Sequence, residues 1–413
     1  MTRSERTPPP GRRVVVTGVG AVTAAGIGVD PLWRSAVEGR SHLVRANGAL
    51  AARFGPMSVG LAALPPEAEG ERAGAAALLA AAEAIRGAGL HGRDLPAGSG
   101  VVLGTCLGGM EPALGWVADV TAADAAAAGA PPSGAGRSRV PPFPPHAGLA
   151  APARRVARCL GLLGPVLAIS TACSSGAAAI AEAASWIRDG GADLMLAGGT
   201  ESLTAFVLSG FAILQTLTAS RMRPFDRRRD GLALGEGAGL VVLEERAAAR
   251  RRGAPILAEL LGAGISADAH HMTAPAPEGE GLGRAIDAAL AEARLGARAI
   301  GFVNAHGTGT VQNDRAEAAA LRRLFDGNGG VPVNAVKPVT GHTLGASGAL
   351  EAILCIRALH SSLLPPTPGC EEPEAGFGLD IVRGEARRRP VETALSLSCG
   401  FGGHNAALLL GAP

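Results

Sequence analysis

A chain of 413 residues can build two core-forming units, and no Pro/Ser-rich linker is long enough to hold independent domains apart, so one body is expected. Only 18% of the residues are charged and the net charge is +2, which gives no electrostatic case for binding nucleic acid or a membrane surface. Alanine dominates the 47% hydrophobic content, beside 60 glycines and no tyrosine, so the core must fill by close approach of backbones.

Six cysteines, at positions 106, 159, 173, 355, 370 and 399, show neither the C-x-x-C pairs of zinc sites nor the density of a disulfide scaffold. A reducing cytoplasm fits that usage. Residues 1–12 carry Arg3, Arg6 and Arg12 around a proline run without an apolar segment behind them, and are expected to form a disordered tail rather than a secretory signal. No apolar stretch approaches the ~20 residues of a membrane-spanning helix.

An α/β rhythm starts at Arg13. A buried strand is predicted over Arg13–Thr17, then a Gly-rich turn, a helix over Pro31–Glu38, a helix over Ala75–Arg86 and a strand over Gly100–Gly104. Residues 121–146, low in complexity and rich in Ala, Gly and Pro, are expected to form a surface excursion, either a flexible loop or the lining of a partner surface. A strand at Val166–Ile169, an alanine-rich helix beyond Cys173 and a strand at Asp193–Ala197 follow.

From Pro255 the rhythm restarts: a helix near Gly283–Arg294, strands at Ile300–Asn304 and Val331–Val336, a helix after Gly345 and a final strand pair. Ser175-Gly176-Ala177 and Ser347-Gly348-Ala349 each open a helix behind a strand and a reactive-looking loop, so the two halves read as copies. The division expected is 13–254 for the first half and 255–413 for the second.

Three loops carry the chemistry. In T-A-C-S-S-G, Cys173 stands between a strand and a helix start, where unpaired helix N–H groups favour thiolate over thiol. A cysteine taken alone more often just packs. N-A-H-G-T-G-T places His306 just past a buried strand, and V-K-P-V-T-G-H-T-L-G-A-S-G places His342 where a loop enters a helix. One histidine more often packs than reacts, but two in Gly-rich loops at strand ends mark a site, because such loops let substrate come close.

With these elements in order, the chain resembles the condensing enzymes of the thiolase superfamily, specifically a β-ketoacyl-acyl-carrier-protein synthase of the Cys-His-His type. The resemblance runs from Arg13 to Leu410 and includes V-V-V-T-G-V-G-A-V-T-A-A-G, R-P-F-D-R-R-R-D-G-L-A-L-G-E-G-A-G and C-G-F-G-G-H-N beside the three loops above. It implies a thiolase-like α/β fold, with duplicated βαβαβ halves in a five-layered αβαβα sandwich. It also implies a decarboxylative condensation of malonyl-acyl-carrier protein with an acyl group held on Cys173, in fatty acid or polyketide/polyene biosynthesis.

By the same resemblance, His306 and His342 stabilise the developing enolate, and Lys337 and Glu351 form a buried support beneath them. Backbone N–H groups of Cys173 and Phe401 supply the oxyanion hole, and Phe401 in G-F-G-G is the acyl gate. Thr308 and Thr310 contact the pantetheine arm. Cys106, Leu107 and Phe211 line the acyl tunnel or are ordinary core. Arg137 and Arg139 meet the acidic carrier protein or are merely solvated, while the runs 221–229 and 250–252 are solvated or structural. No metal or other cofactor is implied, since substrates ride on phosphopantetheine. The expected assembly is a homodimer, or a heterodimer with an inactive chain-length partner.

Departures from the housekeeping pattern, Val336 and Pro338 around Lys337 and His270 where tyrosine is common, touch substrate and pathway rather than chemistry. A thiolase would need a second catalytic cysteine, for which Cys399 is the candidate by position. An initiation synthase would carry asparagine in place of His342, and a noncatalytic partner would lack Cys173. Gly18-x-Gly20 after a strand suggests a dinucleotide fold, but Thr23 replaces its third glycine and Glu38 falls in a helix-like stretch. Zinc on Cys173, His306 and His342 lacks the close pairing of usual zinc motifs.

Overall fold

The computed structural model describes residues 11–46, 52–55, 57–68, 70–90, 95–128, 142–325 and 330–413, with side chains of 123–128 excepted. Its first strand, β1 (Val14–Thr23), runs straight through the glycines read as a turn. A Cβ on Gly18 would lie 2.0 Å from the carbonyl oxygen of Ala84, and one on Gly20 2.0 Å from that of Ala80. Both belong to α1 (Arg72–Gly87), whose alanine face is buried. The glycines serve close helix-on-strand packing, not a phosphate-binding turn, which removes the dinucleotide reading.

The first half continues with β2 (Gly100–Gly104), α2 (Ala151–Leu160), β3 (Val166–Ile169), α3 (Ser175–Arg188), β4 (Leu194–Glu201) and β5 (Gly237–Glu245). Its strands lie in the order β1-β5-β4-β2-β3, the last two steps parallel. The second half holds β6 (Ala258–Ala267), α4 (Glu280–Ala293), β7 (Phe302–Asn304), α5 (Val311–Leu324), β8 (Pro332–Asn334), α6 (Ser347–Ser361), β9 (Asp380–Ile381), β10 (Thr393–Gly400) and β11 (His404–Gly411). Its order, β6-β11-β10-β7-β8 with β9 outside, repeats the first, again with the last two steps of the repeat parallel.

The copying extends to single glycines. On β6, a Cβ on Gly262 or Gly264 would lie 2.1 or 1.9 Å from a carbonyl oxygen of α4, as at Gly18 and Gly20. Each first strand also carries a register shift at the residue before its first such glycine. The halves join where β1 pairs antiparallel with β6 over Val14–Val16. Between them α3 and α6 form the central layer, packed so closely that a Cβ on Gly348 would lie 2.9 Å from that of Ala177, and one on Gly176 2.7 Å from the Gly345 oxygen. Helices α1 and α2 cover one outer face and α4 and α5 the other, which makes five layers of the thiolase-like type.

Two local readings change. The stretch expected to be an excursion from residue 121 begins inside a helix, Met110–Ala128, because an alanine run keeps helical propensity when it continues an established helix. Residues 129–141 and the expected tail 1–10 lie outside the described residues, but Arg12 is placed, in an ion pair with Asp193. No helix among the described residues is long and apolar enough to cross a membrane.

Candidate active site

The edge between β3 and α3 is an elbow. Ala172 takes φ +51°, a conformation costly for a side chain, and the two serines after Cys173 hold it. Ser175 Oγ accepts from the Thr171 N–H at 2.9 Å and donates to the Ala172 carbonyl at 2.5 Å, while Ser174 Oγ donates to the Thr171 carbonyl at 2.8 Å. The strain and its fastening place the buried Cys173 at the mouth of α3. The end of β10 presses on the same elbow, for a Cβ on Gly400 would lie 3.0 Å from the Cys173 nitrogen and 2.8 Å from the Thr171 oxygen.

His306 leaves β7 and is tied from both sides. Its N–H and that of Gly307 donate to Glu317 Oε1 and Oε2 at 2.6 and 2.8 Å. Lys337 Nζ donates to His306 Nδ1 at 3.1 Å, to the His306 carbonyl at 2.5 Å and to Glu351 Oε1 at 2.5 Å. An ammonium can only donate, so Nδ1 accepts and the ring proton sits on Nε2. Burial, with the charges of Lys337 and His342, holds His306 well below the usual imidazole range, so the ring is neutral.

His342 is fixed by backbone pairing. Its N–H donates to the Ala233 carbonyl at 2.8 Å, and its carbonyl accepts from Gly235 at 2.9 Å. Ser347 Oγ stands 3.0 Å from its Nδ1. The two imidazoles meet edge to face with centroids 5.3 Å apart, and with Cys173 they line one cleft of about 80 Å³. A hydrogen bond from Cys106, then the charge and hydrogen bond of His342 and the charge of Lys337, pull the Cys173 thiol well below its ordinary range against the opposing effect of burial. The arrangement gathers one activated thiol and two imidazoles on a single cleft.

The comparisons decide the family. Residues 64–249 match the N-terminal domain of beta-ketoacyl synthases and residues 257–371 their C-terminal domain. The chain is 36% identical to a 3-oxoacyl-[acyl-carrier-protein] synthase 2 of Vibrio harveyi, over 96% of this chain and 98% of the relative. It is 35% identical to the tetracenomycin polyketide synthase ketoacyl synthase alpha subunit of Streptomyces glaucescens, over 97% of each. The solved ishigamide ketosynthase/chain length factor superposes with a TM-score of 0.87 at 32% identity, covering 97% of this chain and 99% of that one. The chain belongs to the β-ketoacyl synthase family. It is an acyl-transferring condensing enzyme.

In this β-ketoacyl synthase, Phe401 stacks on Phe211 at 5.4 Å and 24°, and both border the cleft. Gly402 and Gly403, at φ +82° and +75°, follow Phe401 and are tethered to Met272 and Asp268 by backbone hydrogen bonds. Thr308 and Thr310 also line the cleft, their hydroxyls 2.9 Å apart. Cys106 and Leu107 do not line this cleft; they pack against the buried apolar cluster that contains Cys173. Cys399 does line it, but burial pushes its thiol well above the ordinary range, which denies it the thiolate that a thiolase base requires.

Arg137 and Arg139 lie outside the described residues. Of the arginine run at 221–229, Arg221 and Arg228 pair with Glu371, Arg227 with Glu372, and Arg229 with Glu374, the last with its side chain buried and the others at the surface. A larger basin of about 430 Å³ beside α2 is braced by the Arg155–Glu71 and Arg72–Glu236 pairs and contains none of the three reactive side chains.

Two functional carboxylates escaped the reading of the sequence. Glu317 holds the His306 loop from α5, and Glu201, at the end of β4, accepts from Cys106 N–H at 2.6 Å, Leu107 N–H at 3.2 Å, Gly345 N–H at 3.2 Å and the Thr105 hydroxyl at 3.1 Å. Burial raises each to about 7. The only local signal for Glu201 was a charged residue closing the apolar strand L-M-L-A-G-G-T-E.

Proposed function

We propose that this β-ketoacyl synthase condenses an acyl group on Cys173 with malonyl carried on acyl carrier protein. The Cys173 thiolate attacks the acyl thioester carbonyl, N–H groups of Cys173 and Phe401 take the charge on the tetrahedral oxygen, and the carbon–sulfur bond to the carrier breaks, the carrier leaving as a thiolate that takes its proton from solvent. Malonyl thioester then binds with its carbonyl oxygen toward His306 and His342. The bond to the carboxylate breaks, carbon dioxide leaves, and the electron pair moves onto that oxygen as an enolate. The enolate carbon attacks the acyl-cysteine carbonyl, and Cys173 departs as thiolate. The groups at work are thiol, imidazole and backbone; Lys337 and Glu351 position His306.

The observation that carries this reading is the hydrogen bond from Lys337 Nζ to His306 Nδ1, which leaves a proton on Nε2 of a neutral ring lining the same cleft as Cys173. A neutral donor suits an oxygen that gains charge only in the transition state. Acyl carrier protein is the proposed partner, with Thr308 and Thr310 toward the pantetheine arm and the cytoplasm as the setting.

For assembly, β3 is informative. It forms the outer edge of its half-sheet and reads Val-Leu-Ala-Ile, yet it is only partly covered, with Val166 exposed. An apolar, unpaired edge supports pairing with a second subunit. A homodimer satisfies it; the ishigamide neighbour, a ketosynthase with a chain length factor, supports a heterodimer as the second reading.

The test is intact-protein mass after incubation of wild type and Cys173→Ala with a panel of acyl-acyl-carrier proteins, followed by malonyl-acyl-carrier protein. Acyl mass gained by wild type alone, then discharged with carbon dioxide and β-ketoacyl product, is the expected result. A folded wild type that accepts no acyl group defeats the reading.

A further inference from the structure

The polar groups of the cleft are ordered from inside to outside along one stretch of chain. His306 is 2% exposed and Thr308 5%, Thr310 is half-buried, and Gln312, the second residue of α5, is exposed while still lining the same cleft as Cys173. Residues 306–312 thus run as a rail from the reacting centre to the mouth. Among the described residues no Lys, Arg, Asp or Glu lines this cleft, so what passes along the rail is recognised by neutral dipoles. Most of those dipoles are already engaged. The Thr308 and Thr310 hydroxyls bond each other at 2.9 Å, which leaves the pair one proton to give. Thr216 donates to the Phe211 carbonyl at 3.3 Å, Thr273 Oγ1 lies 3.5 Å from His271 Nδ1, and Asn313 Nδ2 donates to Asp314 Oδ1 at 3.2 Å and to Glu317 Oε2 at 3.4 Å. Gln312 differs, for among the described residues its carboxamide has no hydrogen-bond partner.

We propose that Gln312 is a positioning residue that holds the outer amide of the pantetheine arm. The arm carries two amides in line: two methylenes separate the thioester sulfur from the inner amide, and two more separate the inner amide from the outer. With the thioester at Cys173 and His306, the inner amide meets the threonine pair, whose one available proton suits a carbonyl oxygen. The outer amide lies farther toward solvent, where Gln312 offers both a donor and an acceptor. The contact is made as soon as the arm is seated and does not change as bonds to the acyl carbon form and break. Its contribution is therefore to binding of the thioester rather than to the rate at saturation.

This inference rests on the ketosynthase reading, and the experiment separates the two. Loading of Cys173 is followed by intact-protein mass with one acyl group offered in two forms: a pantetheine thioester, which has both amides, and an N-acetylcysteamine thioester, which has the inner one alone. Wild type is compared with Gln312→Ala and with Gln312→Leu, which keeps much of the bulk but loses the carboxamide. Wild type is expected to prefer the pantetheine thioester. In both variants that preference should shrink about threefold to tenfold, the size of one neutral hydrogen bond, through a higher half-saturating concentration of the pantetheine thioester rather than a lower plateau. Two outcomes overturn the proposal: a wild type that draws no advantage from the second amide, or variants whose preference matches that of wild type. Either can occur while acyl carrier protein still loads Cys173, in which case the ketosynthase reading stands without Gln312. A folded wild type that takes an acyl group from no carrier removes both.

Discussion

Lys337 Nζ lies 3.1 Å from Nδ1 of His306, and through that contact a lysine that faces no substrate dictates which nitrogen of the histidine is a donor. The same ammonium holds Glu351, with both side chains almost wholly buried. Removing it does two things: it frees the His306 tautomer and strands a carboxylate.

Lys337→Ala is therefore expected to slow release of carbon dioxide from malonyl-acyl-carrier protein by about 100-fold or more, on the scale of losing one oxyanion donor. Acyl loading on Cys173 should fall less, because loading does not call on the His306 proton. Breaking the buried pair costs about 3 kcal/mol of stability, so folding is checked by denaturant titration alongside. Equal losses in both half-reactions would reject the tautomer argument.

His342→Ala separates the roles again. Decarboxylation is expected to collapse while the acyl-enzyme still forms, although more slowly, since His342 also helps to keep Cys173 ionised. Iodoacetamide alkylation of Cys173 across pH reads this directly: its apparent pKa should rise in the variant.

Gly400→Ala tests the elbow. A Cβ there meets backbone atoms of Thr171 and Cys173 within 3.0 Å, and backbone cannot swing aside as a side chain can. Overpacking of this kind costs about 1–3 kcal/mol, and the displaced Cys173 should load acyl groups at least about tenfold more slowly by the sensitivity of attack geometry. Stopped-time intact mass gives the rate.

Phe401→Ala removes the ring that stacks on Phe211 but leaves the backbone N–H. If the stack is the closed gate of a cleft only about 80 Å³ in size, the variant should load long acyl chains with less discrimination against short ones than wild type. The ratio of loading rates for two chain lengths is the measurement, and an unchanged ratio removes the gate.

Glu201 carries a pH signature. Burial raises it to about 7 from 4.5, against hydrogen bonds from Cys106, Leu107 and Gly345. The folded protein keeps a proton that the unfolded chain gives up, so this stabilising contribution is complete below 4.5 and is lost as pH rises through about 7. The loss amounts to about 3 kcal/mol. Glu201→Gln, which cannot ionise, should lower Tm in acid yet flatten its decline across neutral pH in scanning calorimetry.

What the sequence determined by itself was the local form of each loop. Strand, small turn and helix start around Cys173, and Gly-rich loops around His306 and His342, are local patterns, and local backbone physics suffices to read them. It also carried the duplication, in the paired Ser-Gly-Ala helix starts that the structure sets face to face. Whether Gly18 and Gly20 make a turn or seat a helix was decided only when α1 packed against β1, because a missing Cβ has the same local signature in both cases. The helix at Met110–Ala128 was likewise hidden by a composition that suits loop and helix alike. Glu201 and Glu317 came to the site from other elements, and Cys106 joined the buried cluster of Cys173 from 67 positions earlier in the chain. Contacts between residues so far apart in sequence follow from how five layers stack, and that is a property of the packed fold rather than of any segment.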